Sequence, residues 1–289
     1  MHAPLCPISI LIPTKNERAN IRACLESCRF ADEVILIDSG STDGTREIAA
    51  EFGAAVIDFT WNGSFPKKKN WALQNVTWRH EWIFILDADE RIMPPLAAEL
   101  HALLTGPNPT CAGYYVNRRF WFLDGWLMHC GYYPSWNVRL LRRSRCRFEK
   151  FAGIDDTRSG DNEVHEQVLI DGTAGRLRGE MEHYAFPTID IWVEKHNRYS
   201  NWEARLLASR ADHEADTAAI QLPSLARKRR LKLLAARLPF RPLLRFAYHY
   251  VLCAGFLDGY RGYVFCRLMA IYEFLSVAKA RELSRTGKS

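Results

Sequence analysis

The chain has 289 residues, of which 48% are hydrophobic, 25% charged and 12% aromatic, and its formal net charge is +6. This composition is typical of a globular protein that buries a full core, and it excludes disordered, collagen-like and coiled-coil classes. No uncharged apolar run reaches the roughly 18 residues that indicate a transmembrane helix, and no basic segment precedes the short apolar stretch at the start, so we predict no signal peptide.

The first 105 residues predict strands that alternate with helices. The first strand covers residues 8–12, a β-prone run that stops at Pro13. Asn16 is predicted to cap the next helix, in which apolar residues recur on one face (Ile21, Cys24, Leu25 and Cys28). Further strands are predicted at 33–37, 54–57 and 82–86, with helices around Ile48 and over 66–76.

Short strands that alternate with helices predict an α/β fold built on a mostly parallel sheet with right-handed crossovers. Ligands of such sheets bind beyond the carboxyl ends of the strands. Those ends carry polar and acidic residues here, in the segments 13–17, 38–40 and 87–89. We therefore expect the functional site at this edge of the sheet.

Beyond residue 105 the pattern changes. Residues 106–188 hold isolated aromatic residues, many arginines and few helical periods, which predicts further strands and long loops that continue the sheet. Residues 189–289 predict helices that break near Pro223, Pro239 and Pro242. We divide the chain accordingly into a domain at 1–188, with halves at 1–105 and 106–188, and a helical, basic and amphipathic C-terminal region at 189–289.

The charge is distributed unevenly between these parts. Residues 191–289 contain 18 Lys and Arg against 8 Asp and Glu, whereas residues 1–190 contain 21 against 25. A basic region of this kind favours phosphate-bearing partners, such as an anionic membrane surface, a phosphorylated glycolipid or nucleic acid. The eight cysteines form no CxxC pair, which disfavours a zinc ribbon and favours a reduced, cytoplasmic protein.

Two carboxylates, Asp87 and Asp89, directly follow the fourth predicted strand. At this spacing on a tight loop they can share a hard divalent cation, one binding the cation while the other orients a ribose or a water. Such a cation would bridge a nucleotide diphosphate and offset the charge that builds on a leaving group. Aspartates also cap strand ends and helix starts, but the two other acidic strand ends beside this pair favour the metal-binding interpretation.

The acid after the second strand, Asp38, has two interpretations. It resembles a group that accepts hydrogen bonds from a base edge or a ribose, and it could instead cap the turn at Ser39 and Gly40. Asp43 is better explained as a helix cap, and Glu17 could be a first-turn carboxylate that the helix dipole favours. The patterns GxGxxG and GxxxxGK[ST] do not occur, which disfavours dinucleotide-binding and P-loop proteins.

Three motifs at these intervals resemble those of family 2 glycosyltransferases with the GT-A fold: PTKNE at 13–17, IDSGSTDGT at 37–45 and LDADE at 86–90. The similarity covers roughly residues 7–105. Three later segments, WNVRLLR at 136–142, VHE at 164–166 and GFLDG at 255–259, resemble a narrower branch, the lipopolysaccharide core glucosyltransferases that act on inner-core heptose. The resemblance makes 1–105 a nucleotide-sugar-binding half and 106–188 an acceptor half.

The resemblance implies a uridine pocket at the first two strand ends. Pro13, Thr14 and Glu17 would line the pocket, and Asp38 would contact the uracil. Lys69 matches a basic position that approaches the nucleotide.

The resemblance also implies a metal site. Asp87 would hold the ribose or the metal, and Asp89 would bind Mg²⁺ or Mn²⁺. His183 is a candidate for a further metal or diphosphate contact, although a histidine before an aromatic residue is also commonly structural.

Inverting sugar transfer needs a carboxylate that deprotonates the acceptor hydroxyl as it attacks the anomeric carbon. Glu166 is the candidate. His165 beside it on a strand would point to the opposite face, so we do not expect it to share the site. Asp155 and Asp156 are the alternative, since many family members carry the base in an acidic pair at a similar distance. These two residues and Asp161 are also consistent with a solvated acidic loop.

The C-terminal region contains a strongly basic stretch at 227–245, with leucines between the charges, followed by an almost wholly apolar run at 246–257. The stretch has no acid, and its basic residues are Arg227, Lys228, Arg229, Arg230, Lys232, Arg237, Arg241 and Arg245. This pattern is typical of interfacial helices on an anionic bilayer. The alternative is a helical domain that packs on the sheet with a solvated basic face. We expect no nucleic-acid partner, because the chain shows no RNA-binding motif.

Together these features predict a metal-dependent, inverting glycosyltransferase on the cytoplasmic side of the bacterial inner membrane. It would move a hexose, preferentially glucose, from a UDP-sugar to a lipopolysaccharide core or similar glycolipid. Two alternatives remain at this stage. One is an enzyme that transfers the sugar to polyprenyl phosphate and needs no base, and the other is a non-catalytic membrane protein that binds nucleotide sugars.

Overall fold

A computed structural model describes residues 4–63, 65–149, 168–208 and 240–286. Contacts group these residues into two compact units. The first comprises 4–119, 135–149 and 168–184, and the second comprises 120–134, 185–208 and 240–286. The division into domains at 1–188 and 189–289 stays a prediction.

The N-terminal strands of the first unit are parallel. β1 pairs with β2 and with β4, and β2 pairs with β3. The four predicted strands are therefore confirmed, and β1 is two residues longer at each end than expected. Their bounds are Cys6–Thr14 for β1, Ala31–Asp38 for β2, Ala55–Asp58 for β3 and Trp82–Ile85 for β4.

Four helices belong to this unit: α1 (Arg18–Ser27), α2 (Thr45–Glu51), α3 (Lys68–Asn75) and α4 (Pro94–Thr105). The prediction that Asn16 caps α1 is wrong. Its backbone is left-handed with φ 55°, and its side-chain oxygen accepts a hydrogen bond from the N–H of Thr42 at 2.9 Å. Glu17 occupies the N-cap position instead, and its own N–H donates to Thr45 Oγ1 at 2.8 Å.

Later strands extend the sheet in antiparallel directions, which confirms the strands expected after residue 105. The added strands are β5 (Glu90–Ile92), β6 (Gly113–Phe122), β8 (Ser135–Arg142) and β11 (Ala174–Phe186). The strand order is β3-β2-β1-β4-β8-β6-β11-β5, so the sheet is mixed, and its parallel part is the N-terminal one. A short β7 (Gly125–Trp126) pairs with the end of β6, and β9 (Cys146–Phe148) pairs with β10 (Val168–Ile170).

The central parallel strands, β1 and β4, are buried on both faces. Along β1, Ile8, Ile10 and Ile12 belong to one hydrophobic cluster, whereas Leu11 belongs to another that includes residues of α3. Side chains of a strand alternate between its two faces, so these two clusters lie on opposite sides of the sheet. Burial on both faces explains why the strands are continuous apolar runs.

The second unit is largely helical and has a core of its own around Phe122, Trp192 and Phe265. The helices predicted beyond residue 189 are confirmed where the structure describes the chain. They are α5 (Ile189–Ala208), α6 (Arg241–Ala247), a π-helical turn (Tyr248–Leu252), a 3₁₀ turn (Gly255–Asp258) and α7 (Gly259–Thr286). None of the helices within the described ranges combines the length and apolar character needed to cross a membrane.

Candidate active site

The carboxyl ends of β1, β2 and β4 meet at one edge of the sheet, as the sequence predicts. Thr14 lies opposite Asp38 in the register of β1 with β2. On the other side of β1, the N–H of Leu86 donates to the carbonyl of Leu11 at 3.0 Å, which places Asp87 beside the same edge. Pro13, Thr14, Asp38 and Asp87 are thus brought together by the pairing of three strands.

Asp38 is fully buried and holds the turn that follows β2. Its carboxylate accepts hydrogen bonds from Thr14 Oγ1 at 2.9 Å and from the N–H of Ser41 at 2.8 Å, and the Ser41 hydroxyl donates to it as well. Arg46 lies 3.5 Å from its second oxygen. Asp38 therefore caps the turn that follows β2. It does so at the strand end where the sequence also suggests a contact with a nucleobase.

Two neighbouring residues complete this part of the edge. Glu17 is half-buried, and its carboxylate accepts a hydrogen bond from the side-chain amide of Asn20 at 3.0 Å. Lys68, which the sequence did not indicate, is only 2% exposed and donates from Nζ to the carbonyl of Thr14 at 2.9 Å. The buried ammonium group of Lys68 is thereby fixed at the end of β1. A buried charge needs a hydrogen-bonding or charged partner, and the Thr14 carbonyl is such a partner.

Asp87 lies between two buried cations. One carboxylate oxygen is 3.0 Å from Lys69 Nζ and the other is 3.1 Å from Arg139 Nη2. Burial alone would raise the pKa of Asp87, but the two cations outweigh it and hold that pKa well below its usual value. Asp87 is therefore ionised at any physiological pH.

Glu90 holds Asp87 through a backbone hydrogen bond and through a shared arginine. It is fully buried, its Oε2 accepts a hydrogen bond from the N–H of Asp87 at 2.9 Å, and its Oε1 pairs with Arg139 and, at 3.2 Å, with Arg118. Arg139 thus joins two carboxylates through Nη2, and its Nη1 donates to the carbonyl of Ile85 at 3.3 Å. The chain Lys69, Asp87, Arg139, Glu90 and Arg118 forms one connected charge network.

Asp89 and His183 are neighbours across strands. His183 lies opposite Glu90 in the antiparallel register of β11 with β5, and its Nε2 is 3.5 Å from Asp89 Oδ1. The N–H of Tyr184 donates to the carbonyl of Asp89 at 2.8 Å, which fixes the loop against β11. Residues 94 positions apart in the sequence are therefore placed where they could share a ligand.

These residues fit a divalent cation that arrives with a nucleotide. Within the described ranges, no three or more His, Cys, Asp and Glu residues are grouped so that they could hold a metal ion. Mg²⁺ in nucleotide sites commonly takes only one or two protein carboxylates, and phosphates and waters supply the rest. Asp89, with His183 Nε2 3.5 Å away, matches that donor set, whereas the two oxygens of Asp87 pair with Lys69 and Arg139.

The predicted base lies outside the described residues. Glu166 belongs to the segment 150–167, as do Asp155 and Asp156, so its role stays a prediction. The residues that flank this segment are well fixed. Phe148 lies opposite Val168 in the β9–β10 pair, and Asn70 of α3 both donates to and accepts from the main chain of Phe148, at 3.1 and 2.9 Å.

Sequence reasoning missed Lys68, Glu90, Arg118 and Arg139. The sequence carried a signal for two of these four residues, Glu90 and Arg139. Glu90 ends the motif at 86–90, and Arg139 sits in the middle of the motif at 136–142 between apolar residues, an unusual place for a charge that lacks a partner. Their partners are far away in the sequence, however, so the pattern alone does not reveal the network.

A mixed sheet with a parallel N-terminal half, and with an acidic pair and buried cations at its strand ends, is the arrangement of the GT-A fold. The family model for glycosyl transferase family 2 matches residues 9–168, more than half of the chain, and the protein belongs to this family.

Similarity to individual proteins extends over nearly the whole chain. The lipopolysaccharide core biosynthesis glycosyltransferase LpsC of Rhizobium meliloti (strain 1021) is 29% identical over 287 residues, covering 96% of this chain and 92% of LpsC. The glycosyltransferase RP128 of Rickettsia prowazekii (strain Madrid E) is 29% identical over 285 residues, covering 96% and 87%. Among solved structures, the mannosyltransferase PcManGT of Pyrobaculum calidifontis, in complex with GDP-Man and Mn²⁺, matches with a TM-score of 0.48 and 16% identity, covering 99% of this chain and 88% of that one.

Proposed function

We propose that this family 2 glycosyltransferase is a metal-dependent, inverting enzyme that moves glucose from UDP-glucose to a sugar hydroxyl of a lipopolysaccharide core or a similar glycolipid. The observation that carries the proposal is the Asp87–Asp89 pair at the end of β4, with Lys69, Arg139 and His183 around it. The similarity to LpsC along 96% of the chain supports the acceptor class.

The donor site in this proposal follows the strand ends. The uridine pocket is lined by Pro13, Thr14 and Glu17. Asp38 contacts the uracil when the Ser41 hydroxyl no longer donates its hydrogen bond to the Asp38 carboxylate. Lys69 lies against Asp87 at 3.0 Å, so its charge faces the position of the diphosphate. A carboxylate that reads a base edge adds a charge-assisted hydrogen bond, which is stronger than a neutral one.

Asp89 and His183 would hold Mg²⁺ or Mn²⁺ in this proposal, and Asp87 would hold the ribose. The bound metal would neutralise negative charge on the diphosphate leaving group. The protein's own contribution is to keep Asp87 ionised, through the cations beside it, and to hold the loop of Asp89 against β11.

Glu166 is proposed as the base. It would take the proton of the acceptor hydroxyl while that oxygen attacks the anomeric carbon from the face opposite to UDP, so the configuration inverts. We place the enzyme on the cytoplasmic side of the inner membrane, held at the bilayer surface, because a glycolipid acceptor is found there.

A donor panel tests the function. Purified protein is incubated with UDP-glucose, UDP-galactose, GDP-mannose or ADP-heptose, Mn²⁺ and truncated lipopolysaccharide acceptors, and the products are read by mass spectrometry. We expect a mass increase of one hexose with UDP-glucose, and transfer from a donor other than a UDP-sugar would contradict the donor assignment.

The variant Glu166→Gln tests the reaction type. Transfer to a sugar hydroxyl should fall by about 10²–10⁴-fold, the usual contribution of a general base, while UDP binding is retained. Glu26→Gln, which changes an exposed glutamate on α1, is the matched control and should retain full activity. Survival of transfer in Glu166→Gln would remove Glu166 as the base and favour an acceptor that is already anionic.

A further inference from the structure

Large apolar side chains are unusually exposed in one stretch of the second unit. Of the seventeen large hydrophobic residues that are exposed in the described parts of the chain, ten fall between residues 240 and 263. Exposed apolar patches of more than a few hundred Å² generally mark interaction sites. The ten residues, here called the apolar surface, are Phe240, Leu243, Leu244, Tyr248, Val251, Leu252, Phe256, Leu257, Tyr260 and Tyr263.

The elements that carry the apolar surface meet at one aromatic ring. Tyr250, in the π-helical turn, has its ring centroid 6.2 Å from that of Phe256 in the 3₁₀ turn and 5.9 Å from that of Tyr263 in α7. Phe246 of α6 stacks on the same ring at 5.1 Å. Phe256 and Tyr263, two of the exposed residues, therefore pack around the same aromatic cluster although they belong to different elements.

The turn at 255–260 is built to present its apolar residues outward. Phe256, Leu257 and Tyr260 are 50%, 60% and 77% exposed, whereas Asp258 between them turns inward. Its carboxylate accepts hydrogen bonds from the main-chain N–H of His129 and from the His129 ring, both at 2.9 Å. The charge that would repel an apolar partner is thus withdrawn from the apolar surface.

Close packing at glycine holds this turn rigidly. A Cβ at Gly262 would lie 2.0 Å from the carbonyl oxygen of Gly255, and one at Gly255 would lie 2.9 Å from the sulfurs of Cys130 and Cys266. The chain can pass this closely only without side chains. A rigid turn with outward apolar residues is a defined structure, and an ordinary surface loop is instead polar and mobile.

We propose that the apolar surface is the site at which the enzyme inserts into the interface of an anionic bilayer. The proposal rests on the proposed function to the extent that a glycolipid acceptor brings the enzyme to a membrane. Asp258 is the single acid in residues 227–263 and faces inward, whereas residues 227–237 add six Lys and Arg. Their charge complements acidic lipid headgroups, and tyrosines such as Tyr248 and Tyr260 suit the boundary between headgroups and acyl chains.

The same charge argues against a second copy of the chain as the partner. A twofold dimer would place the apolar surface of both copies together, and basic residues such as Arg237, only three positions before Phe240 in the sequence, would be drawn together with it. Like charges at an apolar interface oppose association, whereas lipid phosphates neutralise them.

Vesicle flotation tests the proposal with the full chain, at 0.05 and 0.5 M salt. Vesicles of pure phosphatidylcholine are compared with vesicles that contain 30% phosphatidylglycerol. The wild type should float with the anionic vesicles, and Leu252→Ser/Leu257→Ser/Tyr260→Ser should lower the partition coefficient at least about tenfold, because three exposed apolar groups no longer insert. The control Leu5→Ser/Ile189→Ser/Val193→Ser changes three large apolar residues outside the apolar surface that are 45–50% exposed, and it should bind as the wild type does.

A second variant separates charge from insertion. Changing Arg227, Lys228, Arg229 and Arg230 to Gln should release the protein from anionic vesicles chiefly at low salt, since only the Coulomb attraction is screened. Leu252→Ser alone, at the most exposed position, replaces the triple variant if that variant does not fold. A wild type that ignores both vesicle types, a triple variant that binds as the wild type does, or a wild-type dimer that the triple variant dissociates would each overturn the proposal.

Hydrolysis of UDP-glucose, measured in the same samples, keeps this test separate from that of the function. The triple variant should hydrolyse UDP-glucose at the wild-type rate. A protein that binds anionic vesicles through the apolar surface but uses no UDP-sugar would refute the proposed function and leave this inference standing.

Discussion

The carboxylate of Glu90 accepts a hydrogen bond from the main-chain N–H of Asp87, with 2.9 Å between Glu90 Oε2 and the Asp87 nitrogen. The same Glu90 neutralises Arg139, which in turn reaches the Asp87 carboxylate at 3.1 Å. Glu90 therefore acts on Asp87 twice, through the backbone and through a shared cation. It is a positioning residue, and Asp87 is the group that faces the site.

Glu90→Gln should destabilise the protein by about 3–5 kcal/mol, because it leaves buried arginines without their compensating charge. Chemical denaturation measures this change. Glu26→Gln, at an exposed position on α1, should change stability by less than about 0.5 kcal/mol. If both variants are equally stable, the network of Glu90 with Arg118 and Arg139 does not contribute to folding as its burial indicates.

Asp89→Asn should lower turnover in Mg²⁺ or Mn²⁺ by at least about a hundredfold, since metal stabilisation of a leaving group is worth several kcal/mol. The fold should persist, because Asp89 is tied to β11 through its main-chain carbonyl. Asp32→Asn, which alters a carboxylate at the start of β2 paired with His80, is the control. Near-normal turnover of Asp89→Asn in either metal would mean that the metal is held elsewhere.

Asp38→Ala should weaken UDP binding by about 1–3 kcal/mol, the effect of losing a charged hydrogen-bond partner. Ser41→Ala is the informative companion, since it removes a donor to Asp38 and keeps the carboxylate. Calorimetry should show a clear loss of UDP affinity for Asp38→Ala and little for Ser41→Ala. Equal losses would mean that Asp38 acts only as a cap of the turn.

Acid should destabilise the second unit through His196. Its ring is buried against Trp192 at 3.7 Å, and burial lowers its pKa from 6.5 to about 4, with Arg245 and Lys195 acting in the same direction. The unfolded chain then binds the extra proton between pH 6.5 and 4, so stability falls as the pH falls through this window, by about 3 kcal/mol. Denaturation curves from about pH 7 to 4 should be less pH-dependent in His196→Gln, and an unchanged slope would exclude this source.

Local patterns were sufficient for the parallel half of the fold. Strands such as β1 and β4 are apolar on both faces and end at polar residues, so their place and direction follow from composition and alternation. β5 was not predicted, because three residues carry no period and Glu90 to Ile92 form a strand only by pairing with β11 some ninety residues later. The capping role assigned to Asn16 failed for the same kind of reason, since contacts with Thr42 and Thr45 decide the start of α1.

The acids of the site could be predicted and its cations largely could not. Asp87 and Asp89 stand directly after a strand, where local sequence is informative. Arg139 gains its meaning only from Asp87 and Glu90, which lie 52 and 49 positions away. Lysines in a row usually indicate a solvated surface, yet Lys67, Lys68 and Lys69 are all buried here.

The close approach of Gly262 to Gly255 determines how the turn at 255–262 tolerates mutation. The contribution of Phe256, Leu257 and Tyr260 is their size and hydrophobicity, so other large apolar side chains can replace them. Neither glycine can accept even a methyl group, because the carbonyl of Gly255 fills that space at Gly262 and the sulfurs of Cys130 and Cys266 crowd it at Gly255. In a saturation library this stretch should therefore require glycine at positions 255 and 262 and accept many different apolar residues at positions 256, 257 and 260. Relatives should be recognisable by the spacing of the two glycines even where the apolar residues differ.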